Sequence, residues 1–340
     1  MLKEIHLENF RNHKDLDVAF GSITAIIGKN GIGKSNILEA VSILSLCRSF
    51  REEDKKNLIN YEAEYARVKS GELEVFLQRS PFILKTRYKG IPLKQSDFIG
   101  KLKTIVFSPE SLLLINGMPA VRRKFLDMMI SQHDHEYLVN LMEYEKIRSQ
   151  RNSLLHRIGE GRAKESELEF WDQNLVEKGS GLIKSRKETV GYLNARISQN
   201  YSKISGKKQK MEIEYISNGE GNFGDSLRQS RRKELILGRT IIGPHRDDLV
   251  FSLEGCNMAN FASRGEMRSA VLALKIAELE YLKNGGQDIV LLLDDIFSEF
   301  DIDRRSHLGE LIAGNQTIIT TTDKDHFSKE LLGEAKVIEL

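Results

Sequence analysis

Residues Gly28–Ser35 read GKNGIGKS and stand between the apolar runs SITAII and NILEAVSILSLC. The pattern G-x-x-x-x-G-K-[ST] in a strand-to-helix setting restricts the fold more than any other stretch of the chain. It asks for a buried strand that ends in a loop and passes straight into a helix. Across Gly28, Lys29, Asn30, Gly31, Ile32, Gly33, Lys34, Ser35 and Asn36, the glycines let successive backbone N–H groups turn inward on a β-phosphate without a Cβ in the way. The helix that starts near Gly33 adds the positive end of its dipole. Lys34 suits the β- and γ-phosphates, and the Ser35 hydroxyl suits Mg²⁺. A plain strand–helix turn is the alternative, and the joint match of motif and context argues against it.

The complementary half of such a site arrives only near the C-terminus. IVLLLDD is an apolar strand ending in Asp294, placed to hold Mg²⁺ directly or through water, and Asp295 is placed to orient an attacking water. Two carboxylates at the end of a buried strand raise each other's pKa and are costly without a cation nearby. The expected ligand is therefore a nucleoside triphosphate with Mg²⁺, with Asp295 and Lys34 as the catalytic candidates and Ser35 and Asp294 as the metal ligands.

What lies between the two halves decides the domain plan. Seven short strand-like runs, from IHLENF to KTIVF, fill the first hundred residues, interrupted by one helix from Lys34 to about Cys47. From Pro109 the pattern turns helical. Charged helices over His135 to about Leu155 and Glu165 to about Ile204 are expected to form an antiparallel pair, turning at RIGEGRAK. Leu138, Leu141 and Met142 are its expected contacts to Leu168, Trp171 and Leu175. After Gly238 the order strand, helix, strand, helix, strand returns, with AKVIEL as a last strand. The expected fold is α/β: a P-loop domain with a mixed sheet and a parallel core at 1–107 and 236–340, split by an inserted helical arm at 108–235.

Composition narrows the function classes. At 340 residues, 40% hydrophobic and 29% charged, the chain has globular proportions, and its net charge of only +2 leaves nucleic-acid binding to local patches. The two cysteines, Cys47 and Cys256, show no metal or disulfide spacing, and no apolar run reaches membrane-spanning length. A cytoplasmic protein without a membrane partner is expected.

A second anion site is written in FASRGEMRSAVLALKIAELEYL, where Ser263 and Gly265 open a helix. It is far in sequence from the P-loop, which suits the γ-phosphate of a partner molecule. SEFD, Ser298 to Asp301, is placed to reach across the same interface. In the order P-loop, S-x-G-[QE] helix, LLLDD and S-E-x-D, the chain is similar to ATPases of the ATP-binding-cassette type, SMC proteins included. Over IHLENFRNH, GKNGIGKSNILEAV, FSPESLLLINGMPAVRRKFLD, IIGPHRDDL, SRGEMRSAVLALKIAE, LLLDDIFSEFD and TTTD it resembles the RecF family, from residue 5 to residue 323.

That resemblance implies roles for individual residues. Arg11 lies near the nucleotide, Lys34 and Ser35 meet phosphates and Mg²⁺, and Asp294 and Asp295 meet metal and water. Ser263, Gly265 and Glu266 complete the site of the opposite protomer, and Thr322 stands where many transporters carry a switch histidine. It also implies an ATP-dependent homodimer that clamps gapped DNA, at junctions of single and double strand, and helps RecO and RecR load RecA. Two departures stand out. Glu266 is a carboxylate where S-Q-G-Q carries an amide, and Asp295 is a methylene shorter than the glutamate of transporters, so slow, DNA-stimulated turnover is expected.

The residues themselves speak less clearly for DNA. VRRKF, RSQRNSLLHR, SGKKQK and RQSRRKE are basic clusters that either neutralise phosphates or are solvated helix faces. Arg122 and Arg123 are the best DNA-contact candidates, because their motif is the family-like one. His245 and Arg246 of GPHRDD fit a functional role and a structural turn equally. A transporter's nucleotide-binding subunit, another SMC-like head and a clamp that never hydrolyses ATP are the competing readings. The long charged arm and the N-terminal NFRN count against the transporter.

Overall fold

The computed structural model describes residues 1–219, 221–284, 286, 288–298, 300, 302–323 and 329–340. Two compact units emerge. One comprises Met1–Leu112, Lys203–Gly206 and Arg268–Leu340, the other Leu113–Ser202 and Lys207–Met267.

The first unit holds two sheets. Five strands pair in parallel in the order Lys336–Glu339, Ile23–Ile27, Gln316–Thr321, Ile289–Asp294 and Lys103–Phe107. The three central strands are buried along their whole length, which explains why all but Gln316 and Asp294 at their ends are apolar or β-branched. Six further strands form an antiparallel sheet, His13–Ala19, Glu4–Phe10, Tyr65–Ser70, Leu73–Gln78, Ile83–Tyr88 and Ile91–Leu93. Tyr65–Ser70 and Leu73–Gln78 alternate buried and half-exposed residues, as expected for a sheet with one covered face.

Helix Lys34–Leu46 packs against strands of both sheets, and its residues are buried almost all round. Ile37, Leu38, Val41 and Leu44 join Leu7, Val68 and Val75 of the antiparallel sheet and Leu292 and Ile318 of the parallel one in a single core. This burial ties the phosphate loop to both layers.

The second unit is helical with one small sheet. Helices Pro119–His133, His135–Gly159, Leu168–Ser205 and Phe223–Leu237 accompany an antiparallel sheet of Met211–Ile216, Asp248–Leu253 and Cys256–Asn257. Helices His135–Gly159 and Leu168–Ser205 run antiparallel, but the expected contacts are shifted. Lys178 bridges Glu143 at 2.8 Å, Arg151 bridges Asp172, and Leu168 and Trp171 pack on Leu154, Leu155 and Ile158. Residues just after a turn meet residues just before it, so Leu138 and Leu141 lie too far from the turn to face Leu168, and Met142 is exposed.

The boundary expected at residue 236 also moves. Asp248–Leu253 is the central strand of the small sheet, paired throughout to Met211–Ile216, so 236–267 joins the helical unit. Sequence alternation locates the strand; it does not say which sheet receives it.

Candidate functional site

Strand Ile23–Ile27 ends at the phosphate loop, and two neighbours in the same parallel sheet supply its other groups. Thr320, on the adjacent strand, is in register with Ile26 on one side and Asp294 on the other. The three chain segments meet at the C-terminal ends of parallel strands, where open α/β sheets bind ligands.

Two glycines are fixed by geometry. Gly31 and Gly33 have φ of 82° and 115°, in the region that favours glycine. A Cβ on Gly33 would also lie 2.6 Å from His13 Nε2 and 2.7 Å from the Asn12 amide, so any other residue would be strained there and would displace both side chains.

The loop is braced from the N-terminal strands. The Asn12 amide donates to Ile32 O at 2.8 Å, and His13 Nε2 donates to Gly33 O at 3.1 Å. Asn36 donates to Asn12 Oδ1 and accepts from Arg51. Arg11 donates two bonds of 2.8 Å to Glu39, whose carboxylate is 0% exposed inside the loop's own helix. Arg51 and the Ser49 hydroxyl converge on the same carboxylate. Burial pushes Glu39 up, but the hydrogen bonds from Arg11 and Ser49 outweigh it and hold the carboxyl below its ordinary range. Arg11 therefore supports the loop by anchoring its helix, and it also lines an open cleft of about 610 Å³ with Asn12, Asn36, Arg51, Tyr61 and Arg79. Asn12 and His13 lie in IHLENFRNH and Glu39 in GKNGIGKSNILEAV, but the sequence assigns none of them, nor Arg51, a role.

The Lys34 ammonium donates to the carbonyls of Gly28 and Lys29 at 2.7 and 3.0 Å, which holds its charge inside the loop. The Ser35 hydroxyl donates to Asp294 Oδ1 at 2.6 Å, and the Thr320 hydroxyl donates to the same oxygen at 2.7 Å. A hard divalent cation takes oxygen donors of this kind, and a buried carboxylate beside a serine hydroxyl at a phosphate loop fits Mg²⁺. Asp295 follows at φ 48°, a conformation aspartate tolerates, with its N–H bonded to Thr320. Thr320 thus holds the Asp294 carboxylate and the Asp295 backbone, although in the sequence it is one of three identical threonines.

Ser263, Gly265 and Glu266 belong to the second unit, and the helix they open runs Arg264–Lys283. Ser263 N–H and Ser263 Oγ both donate to Glu266 Oε2 at 2.8 Å, while Glu266 N–H donates to Ser263 Oγ at 3.3 Å. This is a capping box. Glu299 and Asp301 of SEFD, and the side chain of Ser298, lie outside the described residues. Thr322 is exposed and follows the strand Gln316–Thr321.

Arg122 and Arg123, expected to contact DNA, are both engaged within the protein. Arg122 is 8% exposed and donates to both oxygens of Asp248 and to Gly117 O, while Arg123 donates to Asp247 O. Arg122 spends three of its five N–H donors on Asp248 and Gly117 O, so its guanidinium is turned into the protein. The VRRKF and GPHRDD stretches are one structural network. Arg186 spans Asp127, Tyr137, Pro244 O and Asp247, and Asp247 also receives Asn218 N–H and the Tyr215 hydroxyl. His245 donates from Nε2 to Thr240 O and accepts at Nδ1 from Tyr144, so it is a neutral structural histidine. Burial, with Arg148 nearby, pulls its pKa down to about 3. Burial pushes the Cys47 thiol up to about 12, which leaves it unreactive. Among the described residues no helix is long and apolar enough to cross a membrane.

The chain resembles known proteins throughout. The model of the RecF/RecN/SMC N-terminal domain matches residues 1–337. The DNA replication and repair protein RecF of Leptospira interrogans serogroup Icterohaemorrhagiae serovar Lai (strain 56601) is 39% identical over 338 residues, 95% of this chain and 92% of its own. The protein of that name from Lachnoclostridium phytofermentans (strain ATCC 700394 / DSM 18823 / ISDg) is 37% identical, over 96% of this chain and 94% of its own. A solved structure of the recombination mediator protein RecF with ATP, in the RecFOR pathway, is 34% identical with a TM-score of 0.88, covering 96% of this chain and 93% of that one. An SMC head bound to the C-terminal winged-helix domain of ScpA aligns at a TM-score of 0.54 and 15% identity, a likeness of fold alone.

Proposed function

Because the chain belongs to the RecF family, within the RecF/RecN/SMC ATPases, we propose that it is an ATP-dependent DNA-binding protein of recombinational repair and replication-fork recovery. ATP binding is the firmest part of the reading, since a relative of the same architecture is solved with ATP. The finer part is an ATP-driven homodimer that closes on gapped DNA and works with RecO and RecR in loading RecA.

The observation that carries the reading is the convergence of Lys34, Ser35, Thr320 and Asp294 at one end of the parallel sheet. Lys34 would bear on the β- and γ-phosphates. Ser35 and Asp294 would hold Mg²⁺, which supplies charge neutralisation on the phosphate oxygens. The cleft beside Asn12 and Asn36 offers room for the sugar and base. Asp295 would orient water at the γ-phosphate, and Ser263 with the N-terminus of helix Arg264–Lys283 would close the site of a second copy. Nucleotide binding and dimerisation are then one equilibrium, and hydrolysis releases it.

The test is ATP hydrolysis without DNA, with intact duplex and with gapped duplex, beside the mass of the protein in solution with and without ATP. The expected result is a dimer on ATP and turnover raised by gapped DNA, both lost in Lys34→Arg and Ser263→Arg. A monomer whose hydrolysis ignores DNA and survives Ser263→Arg overturns the composite site.

A further inference from the structure

The donors that should receive a partner's phosphate already hold an anion. Both the N–H and the hydroxyl of Ser263 point to one oxygen of Glu266 at 2.8 Å, and Glu266 N–H returns a bond to Ser263 Oγ at 3.3 Å. We propose that Glu266 is a built-in competitor of the partner's γ-phosphate, a brake that must release Ser263 before two copies close on nucleotide. The inference rests on the composite-site reading above and deepens it.

Three physical facts support the brake. Ser263 Oγ has a single proton, and in this structure that proton is given to Glu266. A phosphate at the same donors would sit beside a carboxylate, and like charges at such range repel. Glu266 is also an anion at neutral pH: the backbone and hydroxyl bonds from Ser263 hold its carboxyl below the ordinary range, with the charge of Lys207 adding to them. Closure therefore needs the capping box to open and the carboxylate to turn away. A glutamine at 266 accepts the same bonds without a charge, and an alanine accepts none.

The experiment measures the protein concentration at half-dimerisation, in saturating ATP and Mg²⁺, for the full chain and for Glu266→Gln and Glu266→Ala. Thermal unfolding of each variant separates loss of fold from loss of closure. The brake predicts that Glu266→Gln lowers the half-dimerisation concentration roughly fivefold, the difference between a charged and a neutral hydrogen-bond acceptor. Glu266→Ala should move it in the same direction, with some loss of thermal stability. Wild type that stays monomeric while Glu266→Gln dimerises supports the brake in its strongest form. Wild type that dimerises while both folded variants dimerise equally or less well overturns the brake and leaves the composite site standing. If all three stay monomeric, both readings fall.

Discussion

Ser35 donates its hydroxyl hydrogen to Asp294 across 2.6 Å, although 259 residues separate the two in sequence. The contact joins the first turn of a helix to the end of a strand two places away in the parallel sheet. It exists because Gln316–Thr321 lies between the two strands and Thr320 fixes the same Asp294 oxygen from the middle.

That geometry predicts a magnesium dependence. With Mg²⁺ present and ATP at about a hundred times its dissociation constant, the bound nucleotide should raise the stability of the wild type by ~2.7 kcal/mol over apo protein. Asp294→Asn should lose most of the Mg²⁺-dependent part, and Ser35→Ala a smaller share, as read by thermal unfolding with ATP in Mg²⁺ or EDTA. An undiminished Mg²⁺ effect in Asp294→Asn would move the metal elsewhere.

Glu39 predicts an acid limit. Its folded pKa is depressed, so the unfolded chain takes up the proton first as pH falls. The stability it contributes is complete above the unfolded value, about 4.3, and is lost as pH drops below that toward the folded value. Glu39→Gln should cost about 3 kcal/mol at pH 7, because it strips Arg11 and Arg51 of their shared carboxylate. The variant should also show a shallower acid limb. Urea unfolding at pH 7 and pH 4 reads both effects, and equal midpoint losses in the two proteins would remove Glu39 from the acid response.

Legibility in the sequence followed chemistry that leaves a pattern. The phosphate loop and Asp294 are readable because spaced glycines, a lysine and an apolar run before a carboxylate seldom coincide except where a phosphate and a cation are held. Glu39 is not, since a lone glutamate in a helix reads as a solvated face, and only its contacts with Arg11, Ser49 and Arg51 show it to be buried. Arg122 fails for the converse reason: basic residues in a row look like a phosphate patch, while Asp248, its partner, is 126 residues away. Ser263-x-x-Glu266 is a capping-box pattern visible without any structure, yet the helix N-terminus also fits an anion, and sequence does not say which holds the serine.

His245 predicts a second pH effect, in the helical unit and at milder pH. Its folded pKa is about 3, against about 6.5 for a free histidine. Between those values the unfolded chain binds a proton that the folded chain refuses, so stability is complete above pH 6.5 and falls as pH drops, by up to about 1.4 kcal/mol per unit. His245→Gln should be less stable at pH 7, but should lose about 1.6 kcal/mol less than wild type between pH 6.5 and pH 5. Parallel losses in the two proteins would mean that His245 is not the group responsible.

The buried arginines and the exposed ones should separate cleanly in DNA binding. Arg122→Ala leaves Asp248 without its two-pronged partner and Gly117 O without its donor, so it should destabilise the helical unit by about 3 kcal/mol. At a temperature where it stays folded, the salt dependence of its DNA affinity should match wild type. Arg232 and Lys233, by contrast, are exposed on helix Phe223–Leu237. If that face meets the DNA backbone, neutralising both should leave stability within about 0.5 kcal/mol and flatten the slope of log affinity against log salt by roughly 2. Fluorescence anisotropy on gapped duplex from about 50 to 200 mM salt reads the slope. An unchanged slope in the double variant takes this helix off the DNA path, and a reduced slope in folded Arg122→Ala would mean that the Asp248 pair opens to release its guanidinium to phosphate.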